Sequence, residues 1–288
     1  MAVAVRPGAT TLSRQPTRAK RYADPFDERS AERSIGLLRA TVWRYFHPTV
    51  IGGGNIPDGR ALIVGCHSGV MPYDAACLFV GVHEATGRYP RFIADRMFGR
   101  VDPIGRFLAR QGAIVGTPDV VESLLEENQP VVLFPGGAPD MTRPYLTQRY
   151  RVLPHRGYAP GNGGYIKIAL RTGSPIVPLA VVGAEEAHIM LGNIPQVARL
   201  VSMPFFPVVL FPMPLPTKIF IRFGKTIHLP GTPRDADDQH TVDRLNEIVR
   251  KRVQRLIDAT LRHRRGIIFS RYERGGVAGS GDRGGTRR

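Results

Sequence analysis

Short apolar runs recur through the middle of this 288-residue chain, and a stretch with helical spacing separates each from the next. "ALIVGC" (61–66) precedes "YDAACLFVGVHEATG", and "RFIAD" precedes "PIGRFLARQG". "AIVG" precedes "DVVESLLEEN", "PVVLFPGG" precedes "GGYIKIALRTG", and "PIVPLAVVG" follows. A short apolar run between turn-formers is a strand buried on both faces, and a helix between successive strands makes a crossover. The pattern predicts an α/β fold, a mostly parallel or mixed sheet flanked by helices. Pro178 inside "PIVPLAVVG" predicts an edge strand or a bulge, because proline cannot donate to a ladder. "KIFIRFG" (218–224) alternates as an edge or half-exposed strand does. Ile35, Leu38, Val42 and Phe46 recur at helical spacing ahead of the first strand. A long amphipathic helix over 241–265 closes the series, with Leu245, Ile248, Val249, Leu256 and Ile257 on its apolar side.

Hydrophobic residues at 42% and charged residues at 22% are the values of a globular chain. One domain over 26–265 is expected, including the N-terminal helix and the closing helix. A disordered basic tail (1–25) and a flexible Gly/Arg tail (266–288) flank it. Cys66 and Cys77 both sit in apolar runs and read as reduced core residues rather than as a disulfide. No secretory h-region opens the chain, and no window reaches the roughly 18 apolar residues of a spanning helix. The expected location is therefore the cytoplasm or the cytoplasmic face of a membrane, held peripherally or monotopically. The net charge of +16 calls for an anionic partner: phospholipid headgroups, nucleic acid or a phosphate-bearing small molecule.

Two constellations carry chemistry. His67 ends the first apolar run and Asp74 opens the helix after it, with the turn-formers "SGVMP" between. A histidine there can accept a hydroxyl proton while a carboxylate fixes its tautomer. The same two residues also suit an ordinary turn and a helix N-terminal acid. In "VVLFPGGAPD", a strand ends in Phe134, Pro135, Gly136 and Gly137, whose backbone N–H groups can hold phosphate or an oxyanion. A plain strand-exit turn is the other reading.

Taken in order, "HSGVMPYD", "FPGG" and "PIVP" resemble the blocks of the glycerolipid acyltransferase family, the lysophospholipid acyltransferase or PlsC-like superfamily. That family pairs a His-x4-Asp corner with a Phe-Pro-Glu-Gly turn and a Pro-Ile-Val-Pro strand, and the resemblance covers residues 35–230. Six residues separate His67 from Asp74 instead of four, and Gly136 stands in place of the glutamate. Both changes look like the diacylglycerol acyltransferase-like branch. Residues 111–119 lack the arginine of phosphate-acceptor members, which favours a neutral or lysophospholipid acceptor. The resemblance implies acyl transfer without a covalent enzyme intermediate and with no cofactor or metal. Acyl-CoA or acyl-carrier protein would serve as co-substrate. His67 would be the general base, Asp74 its orienter, and the Gly136–Gly137 turn the oxyanion or phosphate contact. Arg143 and Arg156, with Arg149, Arg151 and His155, follow that turn as phosphate or nucleotide contacts, or as a solvated basic loop. Oligomeric state is left open.

Two stretches suit a bilayer contact: the aromatic-bearing helix over 35–46, and the apolar stretch 201–216 with its five prolines. The rival readings are a core-packing helix and a buried connection. Residues 241–265 add eight Arg/Lys against three acidic residues, a stripe for anionic lipid or simply a solvated face. Nucleic acid is the partner of another class that the charge would also suit. No zinc-ligand spacing, RNP-type strand or Walker loop accompanies it, so no specific nucleic acid is expected. A non-catalytic lipid-binding relative of the same fold is the further alternative.

Overall fold

The strand β2 (Ala61–Val64) lies in the middle of the sheet, buried at every residue, as its unbroken apolar sequence requires. The structure, a computed structural model, describes residues 24–94, 102–114, 117–200, 205–264 and 266–267. From the amino end, α1 (Glu28–Leu38) runs through a π-type turn (Arg39–Trp43) into α2 (Arg44–Phe46). There follow β1 (Thr49–Ile51), β2, α3 (Tyr73–Thr86), β3 (Arg91–Ile93), α4 (Asp102–Arg110), β4 (Ala113–Ile114), α5 (Pro118–Glu126) and β5 (Pro130–Leu133). The one-turn helices α6 (Ala138–Met141) and α7 (Tyr145–Gln148) precede α8 (Gly164–Thr172) and β6 (Ile176–Val182). Last come α9 (Ala184–Ala187), β7 (Met190–Asn193), α10 (Pro195–Leu200), β8 (Pro207–Val209), β9 (Phe220–Phe223) and α11 (Gln239–His263).

Seven strands form one sheet in the order β1-β9-β6-β2-β5-β3-β4. All neighbours are parallel except β6 and β9, so the sheet is mixed. Alternate residues of β2 serve the two faces. Leu62 and Val64 join a core with Leu124, Ile166, Val249 and Val253 of the helices α5, α8 and α11. Ile63 joins the opposite core with Cys77, Leu78 and Val82 of α3. α8 stops at Gly173, whose φ of +64° is the left-handed conformation a helix C-terminus favours. α11 starts on Asp238, whose carboxylate accepts the N–H groups of His240 and Thr241. Its buried residues Val242, Leu245, Val249, Val253 and Ile257 lie against β6 and its neighbours.

Several sequence expectations change. Pro178 lies inside β6, between β2 and β9, not at an edge or bulge. It is tolerated because the β2 ladder ends opposite it, at Val64, while its carbonyl accepts the Gly224 N–H at 2.8 Å. "KIFIRFG" supplies β9, an inner strand, and only Arg222 of it is partly exposed. The edge beyond it is β1, too short to show in the sequence. Ile248 points outward, 40% exposed, off the apolar face of α11. Along residues 35–46, Ile35 and Phe46 are buried and Trp43 packs against the core, whereas Leu37 and Tyr45 face out. Within 201–216, residues 201–204 lie outside the described set and β8 pairs with β7 as a separate antiparallel hairpin.

The expected tails fall almost wholly outside the described residues. Asp24, within the first of them, makes a two-pronged ion pair with the buried Arg91, at 2.6 and 2.7 Å. Truncating Leu245 to alanine should cost about 2–5 kcal/mol in denaturant unfolding, while Ile248→Ala should stay within about 0.5 kcal/mol. Equal losses would contradict the orientation of α11.

Candidate active site

Three loops leave the carboxyl ends of the adjacent strands β6, β2 and β5 and converge on one corner, where open α/β sheets bind ligands. The loop after β2 carries His67. Asp74, in the first turn of α3, is fully buried, and its Oδ2 lies 2.9 Å from His67 Nδ1. The same carboxylate accepts the Ser68 N–H at 2.9 Å and the Ala75 N–H at 2.7 Å. A group that already accepts two N–H bonds is an acceptor for the third, so the shared proton is assigned to Nδ1. Nε2 is left with its lone pair, and the ring keeps 17% of its surface exposed. The six-residue separation closes through Gly69, at φ +91°, where a Cβ would lie 2.5 Å from the Ala184 carbonyl oxygen. The longer connection therefore still delivers both groups to one hydrogen bond.

The loop after β5 supplies the second wall. The Phe134 ring stacks on His67 with centroids 3.9 Å apart and planes 28° from parallel. Gly137 takes φ +61°, and its N–H bonds the Phe134 carbonyl at 3.0 Å, closing the turn. The Gly136 N–H, not used in that closure, is the other donor of the turn. Pro135 turns its carbonyl inward to accept the Gly157 N–H at 3.0 Å. Arg156 is exposed and its side chain approaches Gly137, with Cδ 3.7 Å from where a Cβ would be.

Arg143 is arranged differently from the phosphate contact expected of it. Its side chain is 4% exposed, and both terminal nitrogens are engaged by protein acceptors, while Nε makes no hydrogen bond. Nη2 donates to the His67 carbonyl at 2.6 Å and to Glu185 at 3.0 Å; Nη1 donates to Cys66 Sγ at 2.9 Å and to the Arg151 carbonyl. Burial would lower its pKa, but Cys66, Glu185 and Asp140 outweigh that and hold the guanidinium above its ordinary range. Burial also pushes the Cys66 thiol well up, with Asp140 adding to it, and pushes Cys77 up to about 12. Neither is a thiolate nucleophile.

Asp140, Glu185 and Glu186 escaped the sequence reading. Glu185 accepts the Tyr150 N–H as well as Arg143, and Glu186 accepts the Tyr150 hydroxyl and Arg264, the latter at 2.8 Å. Two acids directly after the apolar run, "VVGAEEA", were the available signal, since strand-end carboxylates in parallel sheets line sites. A polar pocket lies against this network, lined by Gly69, Val70, Tyr145, His188 and Met190 among others.

Beside the pocket stands the β7–β8 hairpin. Leu191, Ile194, Phe206, Leu210, Phe211 and Met213 are all exposed on it. His188 ties it to the corner, its Nδ1 lying 3.2 Å from the Phe211 carbonyl and its Nε2 3.3 Å from the hydroxyl of Tyr73, the neighbour of Asp74. The Tyr45 hydroxyl donates to the Pro214 carbonyl at 2.5 Å, so the α1–α2 segment and the hairpin adjoin. Among the described residues no helix is long and apolar enough to cross a membrane.

Burial pushes the Glu185 carboxyl up to about 7, with the Arg143 charge pulling the other way. A carboxyl raised on folding binds more protons folded than unfolded, so its contribution to stability falls as pH rises between the two values. Relative to Glu185→Gln, the wild type should therefore lose stability from pH 5 to pH 8, by roughly 3 kcal/mol at full effect. Denaturant melts of both proteins across that range check it, and a constant gap would refute it.

The acyltransferase family model matches residues 47–182, which contain the His67–Asp74 corner and the Pro-Gly-Gly turn. An uncharacterized protein of Mycobacterium tuberculosis is 34% identical over 245 residues, 81% of this chain and 67% of that one. A human protein named "DGAT1/2-independent enzyme synthesizing storage lipids" is 26% identical over 253 residues, 85% of this chain and 71% of its own. Among solved structures, the 1-acyl-sn-glycerophosphate acyltransferase PlsC of Thermotoga maritima shares the fold, with a TM-score of 0.53 at 18% identity. That alignment covers 83% of this chain and 84% of the other. With the family model over residues 47–182 and a relative 34% identical over 81% of this chain, the chain belongs to the acyltransferase family and is an acyltransferase.

Proposed function

We propose that this acyltransferase works at a membrane surface, moving an acyl chain from acyl-CoA or acyl-carrier protein to a hydroxyl of a glycerolipid or lysophospholipid. The observation that carries the reading is the His67 Nδ1–Asp74 Oδ2 bond at 2.9 Å, which fixes the tautomer and leaves Nε2 as a base. Nε2 removes the acceptor hydroxyl proton, and the oxygen attacks the thioester carbonyl carbon. The tetrahedral intermediate places its negative oxygen against the Gly136 side of the turn, where a well-aimed donor contributes about 3 kcal/mol. The C–S bond then breaks, and the proton on His67 passes to the departing sulfur. Asp74 stabilises the imidazolium between those two steps. Gly137 carries no side chain, and only the flexible Arg156 side chain lies near where one would be, so a thioester can approach the backbone there closely. Arg156, exposed beside Gly137, is the candidate contact for the donor's phosphates. Arg143, buried with both terminal nitrogens engaged, serves to hold the His67 backbone.

The two candidate bilayer contacts act as one surface, joined by the Tyr45–Pro214 bond. A lipid acceptor entering over the β7–β8 hairpin would keep its chains on that apolar surface while its polar head meets the pocket beside the catalytic corner. The outer basic face of α11 would add attraction to anionic headgroups, about 1 kcal/mol for each side chain held near the surface.

Purified protein offered acyl-CoA and a panel of lipid acceptors should release CoA only when an acceptor is present. His67→Ala should lower kcat by at least about 100-fold and Asp74→Asn by a similar order, in line with general-base contributions. Activity indifferent to His67 would overturn the mechanism. In flotation with anionic vesicles, Phe211→Asp with Met213→Asp should reduce binding at least about tenfold, since each buried apolar side chain is worth about 1.5–3 kcal/mol. Unchanged flotation would move the docking surface elsewhere.

A further inference from the structure

Asp140 is buried completely, on a one-turn helix that no sequence motif singled out. Its Oδ2 accepts the Cys66 thiol at 3.1 Å, and its Oδ1 lies 2.8 Å from His155 Nε2. Burial pushes this carboxyl up, but the His155 bond, the Arg143 charge and Cys66 together hold it below its ordinary value. It is an ionised group in the interior, and its partner Cys66 is the residue before His67 at the β2 strand end. A Cβ built on Gly136 would fall inside this carboxylate. The backbone of Gly136 lies outside the left-handed region, so the occupied space alone excludes a side chain there.

We propose that Asp140 is a positioning residue: its carboxylate, seated where a side chain at 136 would begin, registers the Phe134–Gly137 turn against His67. Two loops meet at its two oxygens, and its backbone N–H reaches a third. The Asp140 backbone N–H bonds the Gly137 carbonyl at 3.0 Å, which joins it to the turn. Cys66 joins it to the His67 strand end, and His155 joins it to the loop that ends at Arg156. Without the carboxylate, the Phe134 ring and the Gly136 N–H would lose their registry with the base, and misplacements of about 1 Å cost up to about 100-fold in rate. What matters is a carboxylate at that point in space, so a residue at 136 can deliver it if 140 is vacated.

The inference rests on the acyltransferase reading, and the test separates the two. Four proteins are compared in the thioester assay: wild type, Asp140→Ala, Gly136→Asp, and the double variant. Asp140→Ala should lose at least about tenfold in kcat with the KM for thioester within about twofold, as loss of alignment predicts. Gly136→Asp alone should be no better, because two carboxylates cannot share the seat. The double variant should recover at least about threefold over Asp140→Ala, a gain that mere packing would not give. Asp140→Ala at wild-type turnover, or a double variant no better than it, overturns the proposal. Should the double variant fail to melt cooperatively, Asp140→Asn decides: it keeps the shape and should still lose kcat, and wild-type turnover in it overturns the proposal. If the wild type itself turns nothing over, the acyltransferase reading fails. The His67 ring resonance by NMR then decides, since it should shift in Asp140→Ala and return in the double variant. An unmoved resonance overturns the proposal.

Discussion

Burying the Arg143 guanidinium obliges the protein to surround it with acceptors, and those acceptors are what hold the corner together. An uncompensated cation in the interior costs several kcal/mol, and both terminal nitrogens have found partners, with Nε alone left without one. Its partners come from separate places: the His67 carbonyl after β2, Glu185 after β6, Cys66 at the end of the β2 run and the Arg151 carbonyl in the loop beyond α7. Satisfying one charge thus ties together the ends of neighbouring strands. The same logic continues outward through Tyr150 and Glu186 to Arg264, at the end of α11. The C-terminal helix is in this way connected to the histidine by ion pairs as well as by apolar packing.

His67 is held on two levels. Its backbone is fixed by Arg143, and its ring by Asp74 at Nδ1 and by the Phe134 face. In the proposed reaction, where His67 accepts a proton and gives it back, this is a gain, because the ring need not reorganise between the two transfers. The insertion between His67 and Asp74 fits within the same scheme. The connection is longer, but Gly69 folds it tightly against Ala184, and the carboxylate still arrives with two backbone donors already on it.

Much of this architecture was legible in the sequence, for an identifiable reason. A strand covered on both faces is apolar throughout, so β2, β5 and β6 announce themselves, and the helices between them force parallel crossovers. The His67–Asp74 corner was legible because both residues flank a strand-to-helix turn. What escaped depends on partners distant along the chain. β1 has three residues and gains its identity only by pairing with β9, 171 residues on at Thr49↔Phe220. Without that partner in view, β9 read as an edge. Pro178 read as a strand breaker because nothing local indicates that the β2 ladder stops opposite it. Arg143 read as a solvent-facing phosphate contact because its burial is set by Glu185, 42 residues further on. Sequence pattern reports burial of apolar residues well and burial of charge poorly, since a charge can be buried only where its counterpart has already been brought.

The position of the apolar hairpin follows from the same chain of contacts. β7 and β8 form no part of the main sheet, yet they leave it directly after α9, the turn that carries Glu185 and Glu186. An insertion at that point stands next to the catalytic corner by necessity, and His188 bonds to both Tyr73 and the Phe211 carbonyl across the gap. An acyltransferase handles a thioester donor with polar phosphates and an acceptor with apolar chains. A corner flanked by exposed Arg156 on one side and by exposed Phe211 and Met213 on the other offers each substrate a surface of its own chemistry. In the proposed reaction, that division would bring the reacting hydroxyl and the thioester carbonyl together where those surfaces meet, at His67.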